Sequence, residues 1–155
     1  GTLGGFDEVI VATGSVPRTM PIPGFNKCMT LTELLRDKKE TGDKVIIFGG
    51  GQSGCEAALE LALEGEHPTV VEYAVDLIAT PAVPLPNASY LREALVFHKV
   101  PIYLEVEADN VVNAIGFVPT PVAKPSRNVH LVGDCVSIGN LRTVIWRAWD
   151  VCMKI

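Results

Sequence analysis

The residues with the clearest chemistry lie between positions 44 and 72. Gly49-Gly-Gly-Gln-Ser-Gly54 follows the apolar run Lys44-Val-Ile-Ile-Phe48 and opens an Ala/Leu/Glu-rich segment. A second apolar run, Thr69-Val-Val71, then ends on Glu72. This order is strand, tight turn, helix, strand and acid, the setting in which G-x-G-x-x-G holds a dinucleotide. Gly49 permits the sharp turn, and Gly51 lets the backbone approach a pyrophosphate with no Cβ in the way. Gly54 lets the helix pack close to the strand. Gln52 and Ser53 sit in its first turn, where free N–H groups and the positive dipole end face an anion. Glu72 stands about 20 residues past the glycines, where a carboxylate accepts hydrogen bonds from a ribose 2′-hydroxyl. A 2′-phosphate would be repelled there, and no Arg or Lys follows in Tyr73-Ala-Val-Asp76, so NADH is favoured over NADPH. The alternatives are a chance glycine turn and a solvated strand-end carboxylate.

Other reactive side chains form no constellation. His67 lies at a helix-to-strand connection, His98 at a helix end and His130 at a strand start, which suits surface or structural roles. Cys28, Cys55, Cys135 and Cys152 are scattered with no C-x-x-C pair, so neither a redox dithiol nor a zinc or iron–sulfur site is expected. Cys55, just after the last fingerprint glycine, suits core filling. Trp146 and Trp149 at i and i+3 are expected to pack, and Arg142 to lie on a helix surface. No catalytic acid, base or metal ligand emerges.

The elements that must position the fingerprint follow from local signals. Phe6 to Ala12 reads as a strand after a frayed start at Gly1 to Gly5, and Pro21-Ile-Pro-Gly24 as a rigid connector. Thr30-Leu-Thr-Glu33 fits a capping box opening a short helix to about Lys39. The fingerprint helix runs from about Gln52 to Glu64 and stops at Gly65. Thr80 to Asn87 is proline-rich, and Asn87 can cap a helix from Ala88 to about His98 with Leu91, Leu95 and Val96 buried. Ile102 to Val106, Asn110 to Ile115 and His130 to Val132 read as strands, and Leu141 to Ile155 as an amphipathic helix. An internal echo links Val11-Ala-Thr-Gly-Ser-Val-Pro-Arg18 to Asn113-Ala-Ile-Gly-Phe-Val-Pro-Thr120, which suggests two related lobes. Two links look short: Ile102 to Ile115, where a reversal is expected near 106–109, and Pro121 to Asn128. Omitted segments are the expectation at both.

At 155 residues the chain can bury a core in one large domain or two small lobes. A net charge of −5 argues against a nucleic-acid or anionic-membrane surface. No apolar run approaches the roughly 20 residues of a membrane span, and no leader pattern opens the sequence, so a cytoplasmic protein is expected.

With these motifs in order, the chain resembles the C-terminal part of a flavoprotein family that includes 2,4-dienoyl-CoA reductase, 2-enoate reductase and trimethylamine dehydrogenase. The residues that carry the likeness are Val9 to Arg18, Gly49 to Glu56, Asn113 to Pro119, His130-Leu-Val-Gly-Asp-Cys135 and Gly139-Asn-Leu-Arg-Thr143 with Ile145-Trp146. The resemblance covers nearly the whole chain. It implies an α/β, Rossmann-like three-layer fold of the glutathione-reductase type with an incomplete FAD lobe. Residues 28–120 would form the NAD lobe, and 1–27 with 121–155 a remnant of the FAD lobe. It further implies that Gly133 and Asp134 meet the ribityl chain of FAD and that Thr13-Gly14 passes beside FAD. Ile115-Gly116 would pass beside the nicotinamide nucleotide, and the helix near Asn140 would aim its N-terminus at the isoalloxazine.

The departures bear on function. The family's FAD lobe opens with its own strand–GxGxxG–helix unit, which is not found before Phe6. The barrel that holds FMN, an iron–sulfur cluster and the substrate is not here either. The chain therefore reads as the NADH-docking portion of a flavin-dependent oxidoreductase, not expected to turn over alone, with the missing barrel and FAD segment as its partners. The alternative is a non-catalytic module that holds ADP or NAD, as the resemblance to trimethylamine dehydrogenase suggests. A third reading, an interaction domain with a degenerate fold, would have no nucleotide affinity.

Overall fold

A computed structural model of the chain describes residues 5–19, 25–80, 83–105, 112–113 and 115–155. In chain order the strands and helices are β1 (Val9–Val11), β2 (Ser15–Pro17), β3 (Lys44–Phe48), α1 (Gln52–Leu63), β4 (His67–Val71), α2 (Leu85–Phe97), β5 (Ile102–Tyr103), β6 (Val112–Asn113), β7 (Phe117–Pro119), β8 (Val129–Leu131) and α3 (Leu141–Cys152). They fall into two compact units, residues 17–116 and residues 1–16 with 117–155.

The described strands of the 17–116 unit form a parallel sheet in the order β5-β4-β3-β6. Lys44 to Phe48 alternates: Val45 and Ile47 are buried while Ile46 is half exposed, so one face of β3 carries the core. That core joins Val45, Ile47 and Val70 to Cys55, Ala57, Ala58 and Leu61 of α1 and to Ala88, Leu91 and Leu95 of α2. Buried Gly54, Ala57, Ala58 and Leu61 recur at i, i+3, i+4 and i+7, and the small side chains at three of those positions let α1 lie close to its neighbours. Gly65 at φ +92 ends α1 in the left-handed conformation expected of a helix stop.

Local expectations are refined by tertiary context. Thr30 and Glu33 exchange the reciprocal bonds of a capping box, Thr30 N–H to Glu33 Oε2 at 2.8 Å and Glu33 N–H to Thr30 Oγ1 at 3.2 Å. The Thr30 backbone donor, with help from Lys39, holds the Glu33 carboxyl down at about 2. The helix that follows is one π-type turn, Thr32–Arg36, and does not reach Lys39. α2 starts at Leu85, with Pro84 as its N-cap and Asn87 already inside the helix. Pro86 has no N–H to lose in a first turn, so the proline-rich run continues into the helix and does not delay it. Leu91 and Leu95 are buried as expected, but Val96 is exposed, because the buried face follows 88, 91 and 95. The strands expected over 102–106 and 110–115 are described only as β5 and β6. The connector at 21–24 and the reversal near 106–109 lie outside the described residues.

In the other unit, β1 pairs parallel to β8, Val9 to Val129 through Val11 to Leu131. β1 covers only part of the expected 6–12 run. Cys135 is buried and directs its thiol at the carbonyls of Val11 and Val132, at 3.2 and 3.0 Å. α3 opens with a capping box in which Asn140 accepts from Thr143 N–H at 3.1 Å and Thr143 Oγ1 accepts from Asn140 N–H at 2.9 Å. No residue of α3 is buried, so the expectation that Trp146 and Trp149 pack is not met; both are more than half exposed. α3 lies against residues 133–135 and half-buries Val144, Ala148 and Val151, while Leu141, Ile145, Trp146 and Trp149 stay exposed.

The internal echo has a structural counterpart. β2 pairs with β7, and the two glycines, Gly14 at φ +72 and Gly116 at φ +91, play matching parts. Thr120 N–H donates to Gly14 O at 3.1 Å and Arg18 N–H to Gly116 O at 2.8 Å, each donor four residues past its own echo glycine.

Candidate functional site

β3 is the switch point of the sheet. The chain passes outward from it through α1 to β4 and through α2 to β5, and then returns to its other side as β6. A crevice opens at the carboxyl ends of parallel strands where the order reverses. Here it is a cleft of about 520 Å³ inside the 17–116 unit. Phe48 at the end of β3, Gly49, Gly51, Gln52 and Ser53 of the turn, Glu72 after β4, and Ile115 with Gly116 after β6 line it. Tyr73, Thr80 and Val83 complete the wall.

The turn is built by three different glycine requirements. Gly49 adopts φ +110, which L side chains rarely accept. A Cβ at Gly50 would collide with Leu77 Cδ2 and crowd Glu72, so this glycine is needed for packing. A Cβ at Gly51 would meet nothing within 4 Å, which leaves open space in front of the turn. Gly51 is the N-cap of α1 in extended conformation, with no side-chain cap on the helix. The N–H groups of Gln52, Ser53 and Gly54, in the first turn, precede the first intrahelical bond, which Cys55 N–H makes to Gly51 O at 3.0 Å. Gly54 is buried on the strand side of α1 and does not line the cleft.

Glu72 is fixed where it can read a diol. Its backbone N–H donates to Tyr103 O at 2.8 Å. One carboxylate oxygen accepts the Gly50 N–H and the other accepts the Ala74 N–H at 2.7 Å. A carboxylate has about four acceptor sites, so two backbone donors leave capacity for sugar hydroxyls. Ser53, Gln52 and Glu72 offer polar contacts in the cleft, and among its described lining residues there is no Lys, Arg or His.

Cys55 lies beneath this turn, fully buried, with its thiol directed at Gly50 O at 3.4 Å. Burial, reinforced by the Glu72 carboxylate, pushes the thiol up to about 12, so it is a neutral packing group. The histidines are separate: His67 pairs with Asp43, His130 with Glu8, and His98 stands edge-on to Phe97. Among the described residues no group of His, Cys, Asp or Glu could hold a metal ion.

The remaining residues expected to meet a cofactor, Thr13, Gly14, Gly133 and Asp134, belong to the other unit. Thr13 Oγ1 donates to Thr120 O at 2.7 Å. Gly133, at φ +69, follows β8 directly after Val132. Asp134 Oδ1 accepts the Gly139 N–H at 3.2 Å, and Arg147, unremarked in the sequence, ties Gly133 O and Ser137 to α3. This strand-end glycine and acid fit a sugar hydroxyl chain. In that unit no glycine turn of the fingerprint kind is found among the described residues.

A larger cavity, about 650 Å³, lies at the opposite ends of β3 and β4, lined by Lys44, His67, His98 and Lys99 among others. It faces the carboxyl ends of α1 and α2, and the one glycine among its described lining residues, Gly65, is the stop of α1 and not a strand-to-helix turn.

Sheet order, glycine turn and strand-end acid define a Rossmann-like α/β fold of the kind that binds FAD and NAD(P), the glutathione-reductase type. The model of the pyridine nucleotide-disulphide oxidoreductase family matches residues 4–116, and the chain belongs to that family. Cinnamate reductase of Clostridium sporogenes is 33% identical over 179 residues, taking in 97% of this chain and 27% of the relative. NADH dehydrogenase of Bacillus subtilis is 31% identical over 147 residues, 89% of this chain and 27% of the relative. Among solved structures, a 2-naphthoyl-CoA reductase complex superposes with a TM-score of 0.82 at 23% identity, over 96% of this chain and 27% of that one. The HOCl-induced flavoprotein disulfide reductase RclA of Escherichia coli gives 0.76 at 19%, over 96% and 44%. The chain thus spans about a quarter of the length of the two curated relatives. The alignment with cinnamate reductase is longer than this whole chain, so that relative carries residues between the matched segments that are missing here. Among the described residues no helix is long and apolar enough to cross a membrane.

Proposed function

We propose that this chain is the NADH-docking portion of a flavin-dependent oxidoreductase in the group of 2,4-dienoyl-CoA reductase, 2-enoate reductase and trimethylamine dehydrogenase. The observation that carries the reading is the cleft in which the Gly49–Gly54 turn, the start of α1 and Glu72 converge with Ile115 and Gly116. The α1 N-terminus would hold the pyrophosphate, Glu72 an adenosine ribose, and Ile115-Gly116 would lie beside the nicotinamide half. Bound NADH supplies a hydride donor and a flavin the acceptor; the protein's part is to bind, orient and exclude water. NADH is preferred because a 2′-phosphate would meet the Glu72 carboxylate with no cation among the described lining residues to offset it.

In this proposal residues 28–120 are the NAD lobe, and 1–27 with 121–155 are part of an FAD lobe in which Thr13, Gly14, Gly133 and Asp134 face FAD. FAD belongs to the intact protein, FMN and an iron–sulfur cluster to a barrel not included here, and the location is cytoplasmic. The cinnamate reductase match supports the group, since that relative's name denotes reduction of an enoate. A second reading, ADP or NAD held without hydride transfer, rests on the same cleft, since Glu72 and the glycine turn would meet the ribose and pyrophosphate that ADP shares with NADH. Nicotinamide-dependent flavin reduction by the intact protein separates the two.

Calorimetric titration with NADH, NADPH and ADP, repeated on Glu72→Ala, tests the docking reading. The expected result is saturable NADH binding, weaker NADPH binding, and a preference that shrinks about tenfold on substitution. An unchanged preference would remove Glu72 from ribose recognition.

A further inference from the structure

Arg92 is a half-buried cation that neither the core nor the cleft accounts for. It sits on α2 beside Leu91, at the edge of the face formed by Ala88, Leu91 and Leu95. Its Nη2 donates to Asp76 Oδ2 at 2.8 Å and also to Leu77 O. Its Nε is buried, and among the described residues no acceptor meets it. As a source of stability this arrangement is poor. An ion pair with the exposed carboxylate of Asp76 contributes little, and an orphaned buried donor is unfavourable. What the guanidinium does supply is a fixed position for residues 76–78.

That loop leans on the glycine turn. Asp76 Oδ1 accepts the Leu77 N–H at 2.8 Å, so the carboxylate that Arg92 holds also orders the next peptide. Leu77 is buried, and its side chain stands where a Cβ on Gly50 would be. Ile78 N–H donates to Gly50 O at 2.7 Å. Thr80, on the cleft wall, donates its N–H to Ile78 O at 2.7 Å. Ile78 keeps φ +52, in the left-handed region that a β-branched residue enters only when its surroundings over-determine it. Once the clamp is removed, that strain favours release of Ile78 from Gly50, and turn and wall loosen together. We propose, on the basis of the docking reading above, that Arg92 is a positioning residue for the nucleotide cleft. It acts through residues 76–78 to hold the glycine turn and Thr80 in binding geometry, and it does not itself line the cleft.

The test compares the unchanged full chain with Arg92→Met, which keeps an apolar stem and removes the guanidinium. NADH calorimetry well below the melt, thermal melting and amide hydrogen exchange are measured on both. The melts should coincide, because replacing a part-buried charge by an apolar group of similar reach is often neutral. NADH affinity should nevertheless fall about tenfold, and the Ile78 amide should exchange at least about tenfold faster. The amides of Ile47 and Val70 should keep their protection. Asp76→Ala, which removes the exposed partner, should move affinity and Ile78 exchange the same way, and it decides the matter if Arg92→Met does not fold. Undiminished NADH affinity in the folded variant would overturn the positioning role and leave the docking reading intact. A lower melt, with Ile47 and Val70 losing protection in step with affinity, would make Arg92 a general structural residue and overturn the role as well. Absence of NADH binding by the unchanged chain would overturn the docking reading and the positioning role with it.

Discussion

The 17–116 unit and the 1–16 with 117–155 unit differ in how they use apolar side chains. In the first, α1 and α2 close over one face of a parallel sheet, and Ile47, Val70, Cys55 and Leu95 reach zero exposure. In the second, β1 and β8 make a two-stranded pairing, and α3 leaves Leu141, Ile145, Trp146 and Trp149 exposed. Both contain positive-φ glycines at strand ends and a capped or glycine-initiated helix. Local motif chemistry is thus equally good in both, while burial is not. A motif can shape a turn without neighbours, but the turn becomes a rigid binding wall only when packing fixes the strands and helix beside it.

The strongest way to break this comparison is to remove buried volume. Leu95→Ala should cost about 2–5 kcal/mol of stability, read as a drop in the denaturation midpoint by far-UV circular dichroism. Trp149→Ala should change stability by no more than about 0.5 kcal/mol, because its side chain leaves no cavity. Equal losses would show that α3 is covered in solution and would erase the contrast.

Two neighbouring glycines sharpen it next. Gly50→Ala should destabilise by about 1–3 kcal/mol through overpacking against Leu77 and Glu72. Gly51→Asp should leave stability equal or slightly higher, since Asp is a favoured N-cap at an extended position beside a helix dipole. The same carboxylate should lower NADH affinity at least about tenfold by opposing the pyrophosphate. Titration and melting of both variants separate packing from binding. Gly51→Asp with undiminished affinity would move the phosphate site elsewhere.

The smallest effect concerns Cys55. Its folded thiol titrates near 12, above the ordinary value of 9.0. Between those values the unfolded chain has lost a proton that the folded chain retains, so stability falls as pH rises from about 9 toward 12. That slope should flatten in Cys55→Ser relative to the unchanged chain, measured by denaturation at pH 8, 9 and 10. Alkylation of the folded protein should label exposed Cys152 first and spare Cys55 and Cys135. Parallel slopes in the two proteins would mean that the thiol is not buried in solution.

Much of the 17–116 unit follows from sequence alone, for a local reason. An apolar run, a glycine turn, small residues at helical spacing and a terminal acid each act within a few residues, and α1 is found over 52–63 against an expected 52–64. The place of Cys55, just after the last fingerprint glycine, likewise makes it a core filler, and it is fully buried. The cap expected at position 87 fails for a local reason, because prolines enter the first turn of α2, whereas the exposure of Val96, Trp146 and Trp149 depends on what lies opposite. Tyr73, Thr80 and Val83 were missed as cleft residues because no motif marks them. They reach the cleft only because the loop after β4 folds back onto Gly50. Which glycine is indispensable for packing was likewise decided by Leu77, twenty-seven positions away. Sequence spacing determined the kind of turn and the kind of fold. Tertiary structure decided the walls of the site and the exposure of each apolar face, because burial is a property of the neighbours that long-range folding brings.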